Sequence, residues 1–382
     1  MPNTRKTRNL NVEVLRIVAM FLIVACHGIL HIHWMLNVDQ GFTFKPGWRY
    51  ALSYLVVQYG QVGVTIFFII SGYFLVTKKF NWTRIFKTWF QMFCYSLLIL
   101  AVIALVAAFA KPGGIVPLFQ GDNLVTTLVW NFFPFLYDSY WFITAYIAML
   151  LLLPFLNCLF DNLQEKYINA LIMLLALFSI WILFFGRVSP WDNVTYAILG
   201  YLIGGWIRNY SKNHPRMLQT KYLIVAILLS TAGMAAFNYI SANGSHLVGL
   251  LGWQSQTKQG IQILPMIVAA AVFILVDRIN MSGMPKILRN FVLKLAASTF
   301  GVYLLHENMF LYRLIWPAMT SLFPTPTSIV STVLIFIAII VIVYLAMSLI
   351  AFLLDTCIVH PLENVILRKE ATHKNPKSVE TA

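Results

Sequence analysis

The stretch 15-LRIVAMFLIVACHG-28 decides the fold, because it suits lipid everywhere except at two positions. Nine apolar residues in succession follow Arg16, and Cys26 and His27 come next. A helix needs about 20 predominantly apolar residues to cross the hydrocarbon core of a bilayer. Residues 12–35 are long and apolar enough to meet that need. The stretch therefore predicts a membrane-spanning helix that carries one permanent cation and one imidazole.

The composition extends this prediction to the whole chain. Hydrophobic residues make up 60% of the 382 positions, charged residues make up 10%, and the mean hydropathy is +0.77. A water-soluble protein carries roughly 25% charged residues, so we predict an all-α integral membrane protein with about ten transmembrane helices. The predicted spans are 12–35, 51–76, 85–109, 140–160, 167–185, 191–207, 221–240, 260–276, 295–315 and 328–354.

The basic residues are distributed unevenly over the segments that connect these spans. If the N-terminus is cytoplasmic, the cytoplasmic segments hold 20 of the 27 lysines and arginines, and the outer segments hold six. This split follows the positive-inside rule. It predicts that both termini are cytoplasmic and that the net charge of +14 is not a nucleic-acid footprint. We expect a basic N-terminus over 1–11, a membrane domain over 12–360 and a cytoplasmic tail over 361–382.

The two polar residues of the first span are placed on one side of the helix. Arg16 and His27 lie eleven positions apart. At 100° and 1.5 Å per residue, they are about 20° apart around the helix and about 16 Å apart along its axis. Ionisable residues at membrane depth usually face a bundle interior or a water-filled cavity. The alternatives are an Arg16 that snorkels to the headgroups and a His27 that packs against a carbonyl.

Two further clusters contain residues that are expected at a functional cavity. Ser71 and Gly72 lie near the end of the second span, and close helix packing is the alternative interpretation of these small residues. His306 and Glu307 lie midway along the span predicted over 295–315. The candidates for cavity lining are Ser71, Tyr73, Trp141, Tyr303, His306 and Glu307. For Trp141, anchoring in the aromatic belt of the membrane interface is the alternative.

A basic loop follows the second span. Lys78, Lys79, Arg84 and Lys87 are expected either to anchor the loop at the inner headgroups or to hold phosphate groups at the mouth of a cavity. The chain has no Gly-rich phosphate loop and no zinc-ligand motif, and its cysteines have no CxxC spacing. We therefore expect no bound metal.

The chemistry that fits these groups is acyl transfer, with other classes left open. A neutral imidazole in an apolar site is suited to general-base catalysis. An activated acyl donor would place its anionic end against the basic loop at the mouth of a cavity, and its reactive end would reach His27 within the membrane. The alternatives are a transporter or flippase of a sugar or a lipid-linked glycan and a non-enzymatic pH sensor built on histidines.

The whole chain resembles the membrane-bound acyltransferase 3 family, the bacterial O-acetyltransferases that modify surface polysaccharides. The matching motifs follow the order of the family over about three hundred residues. They are Arg16-x10-His27, "FFIISGYFL" (67–75), "TRIFK" (83–87), "YWFITAYIAMLLLLPFLN" (140–157) and "STFGVYLLHEN" (298–308). Family members often carry "YLxHxP" where this chain has "YLLHEN", so no role for Glu307 follows from the resemblance.

The resemblance implies transfer of an acyl group, usually acetyl, from cytoplasmic acyl-coenzyme A to a hydroxyl of a cell-surface or lipid-linked glycan. His27 matches the essential histidine of the family, Arg16 matches its arginine partner, and Arg84 and Lys87 match a basic loop expected at the coenzyme A phosphates. Acyl-coenzyme A is a co-substrate, and no bound cofactor is implied. The implied location is the bacterial plasma membrane.

Overall fold

A computed structural model describes residues 8–32, 48–109, 129, 132–133, 140–180, 193–242 and 260–374. The described residues are almost entirely helical, and there is no strand among them. The helices are Leu10–His31 (α1), Trp48–Leu75 (α2), Trp82–Phe109 (α3), Trp141–Leu151 (α4), Leu153–Asn162 (α5), Glu165–Ser179 (α6), Asn193–Tyr210 (α7), Thr220–Ala242 (α8), Ile263–Asp277 (α9), Lys286–Ala297 (α10), Thr299–His306 (α11), Tyr312–Ser321 (α12), Ile329–Leu354 (α13) and His360–Lys374 (α14).

The prediction of an all-helical membrane protein is confirmed. Within the described residues, five helices are long and apolar enough to cross a membrane, or up to seven if each of two bent pairs forms one span. The bent pairs are α4 with α5, at 52°, and α10 with α11, at 43°. Each predicted span coincides with at least one helix, but α6 and α9 have only 15 residues each. Residues 1–7, 181–192 and 375–382, which belong to predicted segments, lie outside the described part.

Helix α1 begins and ends at residues that satisfy its terminal backbone groups. The Asn9 side chain accepts a hydrogen bond from the Asn11 backbone N–H at 3.1 Å, as expected of a helix N-cap. The Asn11 side chain donates to the carbonyls of Val276 and Ile279, both at 2.7 Å. These carbonyls lie at the end of α9, so Asn11 joins the start of α1 to the end of a distant helix.

Helix α2 is the centre of the bundle, and it packs against α1, α7, α8 and α9. Its contact with α7 is backbone against backbone. A Cβ atom added at Gly72 would lie 2.0 Å from the carbonyl oxygen of Tyr201, and one added at Gly204 would lie 2.1 Å from that of Ile69. The close packing considered for the small residues of α2 is thus present at Gly72. Small residues bring membrane helices this close together because they have little side chain to separate the backbones.

The span predicted over residues 295–315 is not one continuous helix. The chain bends between α10 and α11, ends its helix at His306 and starts a new helix at Tyr312. Asn308 stabilises the break, because its side-chain oxygen accepts hydrogen bonds from the backbone N–H groups of Phe310 at 3.0 Å and Leu311 at 3.4 Å. A short polar side chain can replace a helix carbonyl in this way. The break leaves His306 and Glu307 at a helix end, where both side chains can face one neighbour.

Candidate active site

The structure brings together two histidines and a glutamate that are far apart in sequence. In α1, Nδ1 of His27 lies 2.9 Å from Nε2 of His306 and 3.2 Å from Oε1 of Glu307. On its other side, Nδ1 of His306 lies 2.6 Å from the carbonyl oxygen of Val302, one turn earlier in α11. We call His27, His306 and Glu307 the imidazole cluster. His306 is the last residue of α11, and Glu307 follows it directly as the C-cap, so the end of this helix supplies two members of the cluster.

The imidazole cluster is enclosed but not sealed. His306 is completely buried, whereas the side chains of His27 and Glu307 are 14% and 18% exposed. Tyr140 helps to hold α11, because its hydroxyl donates to the Leu304 carbonyl at 2.8 Å and accepts from the Asn308 side chain at 3.2 Å. The imidazole ring of His306 is thus held in place by the surrounding protein, while the side chains of His27 and Glu307 remain accessible to a small group.

Arg16, at the other end of α1, lines a cavity of about 330 Å³. Its walls also include Met20 and Ile23 of α1, Ser71 of α2 and Tyr303 of α11. This volume lies at the lower end of the roughly 300–1,000 Å³ typical of small-molecule sites. We call this space the Arg16 cavity. Arg8, before α1, and His360, at the start of α14, also line it.

The Arg16 cavity stops one helical turn short of the imidazole cluster. Arg16, Met20 and Ile23 follow one stripe of α1, and the next position of that stripe is His27, which is not among the lining residues. Tyr303 lies between the two sites. It lines the cavity, and its ring makes an edge contact with His306, with 6.1 Å between ring centroids. The two sites are neighbours separated by an aromatic ring.

Among the described residues, the guanidinium of Arg16 makes only long contacts with a carboxyl group. Its Nη1 atom lies 3.4 Å from both carboxyl oxygens of Glu13, one turn earlier in α1. The Arg16 side chain is 35% exposed, whereas that of Glu13 is 6% exposed. Because a guanidinium has five N–H donors, these long contacts leave donors available for an anion in the cavity.

The other residues predicted to bind a donor do not line the Arg16 cavity. Lys78 and Lys79 are exposed beyond the end of α2, and Arg84 is half-buried in the first turn of α3. Lys87 forms an ion pair with Glu363 of α14. Thr88, the next residue of α3, does line the cavity. The basic loop therefore lies near the cavity. Of the residues predicted to bind the acyl donor, Arg16 alone is part of the cavity wall.

The predicted cavity-lining residues separate into three groups. Ser71 and Tyr303 line the Arg16 cavity, and His306 and Glu307 belong to the imidazole cluster. Tyr73 lies elsewhere, with the Arg208 guanidinium 5.1 Å from its ring centroid. Trp141 packs against the hydrophobic core, and it is the adjacent Phe142 that lines the cavity.

Sequence reasoning missed two cationic or titratable residues of the cavity, Arg8 and His360. Arg8 carried a usable signal, since it lies two helical turns before Arg16 on a basic segment. His360 carried none, because its place at the cavity depends on how the helical segment that continues from α13 into α14 packs against the other helices. A π-helical turn, Asp355–Val359, precedes α14. Asp355 in this turn accepts hydrogen bonds from the Gln91 side chain at 2.8 Å and the Tyr95 hydroxyl at 3.0 Å, both on α3.

The two sites differ in what they can do chemically. The imidazole cluster can accept and pass on a proton, because it combines two imidazoles and a carboxyl group within hydrogen-bonding distance. The Arg16 cavity can hold an anionic, partly apolar molecule. A single helix, α1, joins the two.

Comparison with known proteins agrees with this chemistry. A family model described as an acyltransferase domain, of the acyltransferase 3 family, matches residues 9–351. The match includes Arg16 and the whole imidazole cluster, and it ends before the π-helical turn and α14. No curated protein and no solved structure matches the chain significantly. Because the match covers nearly the whole chain, the protein belongs to the acyltransferase 3 family and is a membrane-bound acyltransferase.

Proposed function

We propose that this protein is an O-acyltransferase that moves an acyl group, with acetyl as the first candidate, from acyl-coenzyme A to a hydroxyl of a cell-surface or lipid-linked glycan. One observation carries the proposal. Helix α1 presents a proton-accepting cluster at one end and a cavity lined by Arg16 at the other. Acyl transfer from an anionic donor needs both. The family match favours this enzyme over the transporter that the sequence left open.

The proposed orientation places the Arg16 cavity on the cytoplasmic side of a bacterial plasma membrane, with ten spans and both termini in the cytoplasm. The uneven distribution of basic residues supports this orientation. So does the cavity itself, because Arg8 and His360 bring residues from near both ends of the chain to its wall. Acyl-coenzyme A is a cytoplasmic metabolite, so its phosphates would meet Arg16 and Arg8 on entry.

The donor fits the dimensions of α1. The phosphates would lie near Arg16, and the thioester near His27, about 16 Å further along the helix axis. An extended pantetheine arm is comparable in length to this distance. It would follow the apolar wall formed by Met20 and Ile23, and the Tyr303 ring would have to turn aside to admit the thioester. Lys78, Lys79, Arg84 and Lys87 remain predicted contacts for the nucleotide end.

The reaction is balanced without a metal or a redox partner. His27 takes the proton of the acceptor hydroxyl while that oxygen attacks the thioester carbonyl carbon. The new carbon–oxygen bond forms, the carbon–sulfur bond breaks, and the coenzyme A thiolate leaves. The thiolate then takes the proton from the His27 imidazolium, which restores the neutral base. Acyl-coenzyme A and an alcohol thus become an ester and free coenzyme A.

The test is transfer of radiolabelled acetyl from acetyl-coenzyme A to glycan in inside-out membrane vesicles from bacteria that express the protein. We expect label in the glycan fraction, release on mild alkaline treatment as for an O-ester, and no label with vesicles from cells lacking the protein. Label that appears only as transported acetate, or not at all with acetyl and longer acyl donors, would contradict the proposal.

A further inference from the structure

We propose that His306 is a positioning residue that fixes the tautomer of His27, so that Nε2 of His27 is the atom that accepts the proton. The effect of His306 on the rate of acyl transfer rests on the proposed function, whereas the tautomer of His27 does not. No sequence motif indicates this role, because the two rings are separated by 279 positions. The inference follows from the direction of two consecutive hydrogen bonds.

The first hydrogen bond places a proton on Nδ1 of His306. This nitrogen lies 2.6 Å from the Val302 carbonyl oxygen, and a carbonyl oxygen only accepts hydrogen bonds. His306 is completely buried, so a neutral ring is favoured over an imidazolium, which would lose its solvation. A neutral ring carries one N–H. Its Nε2 atom is therefore an unprotonated acceptor.

The second hydrogen bond transmits this choice to His27. Nε2 of His306 lies 2.9 Å from Nδ1 of His27, and an acceptor at this distance requires a donor opposite. The proton of His27 is thus on Nδ1. The remaining nitrogen, Nε2, carries the lone pair and is the base. Without His306, only the longer approach of the Glu307 carboxyl group, at 3.2 Å, would favour a proton on Nδ1, and part of the population would have a protonated, inactive Nε2.

Glu307 stabilises the charged form of His27 that arises during the reaction. Its Oε1 atom lies 3.2 Å from Nδ1 of His27 and accepts no hydrogen bond within the described part of the chain. When Nε2 takes a proton, the ring becomes positive beside this unsatisfied oxygen. A preorganised group facing a developing charge lowers the barrier without reorganisation. His306 orients the ring, and Glu307 stabilises its charge.

A shared metal ion is the competing explanation of the same geometry. One ligand atom from each of His27, His306 and Glu307 lies within 4.8 Å of the others. Two nitrogens bound tetrahedrally to one zinc ion at 2.0–2.1 Å are about 3.3 Å apart. The observed 2.9 Å is instead a hydrogen-bond distance. A shared proton fits the two rings as they lie, whereas a zinc ion bound by both would need the two nitrogens to move apart by about 0.4 Å.

The tautomer is measured directly by nitrogen NMR on the full chain in nanodiscs, labelled with 15N-histidine. A His27→Gln variant identifies the His27 signals by their loss. We expect Nδ1 of His27 to show a protonated, pyrrole-type shift and Nε2 an unprotonated, pyridine-type shift, and the two shifts to converge in His306→Leu. A wild-type His27 protonated at Nε2, or a stoichiometric metal in the purified protein, would overturn the inference.

Kinetics test the consequence with a matched set of variants. His306→Leu removes the acceptor, and we expect kcat to fall at least about 100-fold with little change in the KM for acetyl-coenzyme A, since a wrong tautomer can cost up to about 10⁴-fold. His306→Gln retains an acceptor oxygen and an amide donor for Val302, so it should recover at least a tenth of the lost activity. The control is His31→Gln, whose ring centroid lies 6.3 Å from that of His27 and which should remain within threefold of wild type.

Failure of the inference and failure of the proposed function are distinguishable. If His306→Leu retains full kcat, or if Gln restores nothing while both variants fold, the positioning role is wrong even though acyl transfer stands. If the wild-type protein transfers no acyl group, the proposed function fails, and the NMR shifts still decide the tautomer.

Discussion

The two ends of α1 differ in how tightly their polar side chains are held. At the His27 end, His27 lies within hydrogen-bonding distance of both His306 and Glu307, and His306 is completely buried. At the Arg16 end, a cation makes only long contacts with Glu13 and lines an open cavity. Groups that act on a proton benefit from a fixed geometry because it costs no reorganisation during the reaction. A site for a long, flexible donor needs room instead.

The largest effect is expected at the fixed end. Replacing His27 with Ala removes the proposed base, and acetyl transfer from acetyl-coenzyme A should fall at least about 10³-fold, in line with the loss of a nucleophile–base unit. The amount of protein in the membrane should not change. The measurement is label in glycan per unit of protein detected by immunoblotting.

Cys26→Ala is the matched control for His27→Ala. The Cys26 thiol lies beside Gly60 of α2 rather than in the imidazole cluster, so this variant should retain most of its activity. An inactive Cys26→Ala that folds normally would instead indicate an acyl-cysteine intermediate, and His27 would lose its assigned role as direct base.

The next largest effect concerns the scaffold that both ends share. Gly72→Leu places a side chain against the Tyr201 backbone, where even a Cβ atom has no room, and it should separate α2 from α7. We expect a loss of about 3 kcal/mol or more, the upper range for overpacking, measured as the unfolding midpoint in detergent. Gly283→Leu is the control, because nothing lies within 4 Å of its added Cβ. Equal midpoints for the two variants would contradict the close contact.

A smaller effect is expected at the open end. Arg16→Ala should raise the KM for acetyl-coenzyme A about 10- to 150-fold and leave kcat within a few fold, because a charge-assisted hydrogen bond contributes about 1.5–3 kcal/mol. Arg16→Lys should recover part of the affinity. If Arg16→Ala lowers kcat instead and leaves KM unchanged, the guanidinium acts in the chemistry and the two ends are less distinct than their geometry indicates.

The smallest effect is expected at the rim of the cavity. Lys87 is half-exposed and pairs with the buried carboxyl group of Glu363. Water reaches the Lys87 side of this pair and can replace the ammonium group, so we expect the pair to contribute about 1 kcal/mol. Lys87→Ala should therefore shift the unfolding midpoint slightly and raise the donor KM less than threefold. The charge-swapped double variant Lys87→Glu with Glu363→Lys should return to the wild-type midpoint. A large loss in the single variant would show that α14 has to be held in place for the donor to bind.

The sequence was most informative where local rules decide the outcome. Every predicted span overlaps a helix among the described residues, and five to seven of these helices are long and apolar enough to cross a membrane, since a run of apolar residues long enough for a bilayer leaves the backbone little alternative to a helix. The spacing of Arg16 and His27 also depended only on helical geometry. The helix predicted over 295–315 is interrupted after His306 because Asn308 competes for backbone N–H groups, and hydrophobicity does not report that competition.

By itself, the sequence determined a helical membrane protein, the polar stripe of α1 and a resemblance to one family of acyltransferases. Only the tertiary structure decided that His27 meets His306 and Glu307, that Tyr303 separates them from the Arg16 cavity, and that Arg8 and His360 complete its wall. The physical reason is one of range. Helix formation and spacing depend on neighbouring residues, whereas a hydrogen bond between residues 279 positions apart depends on how every helix between them packs.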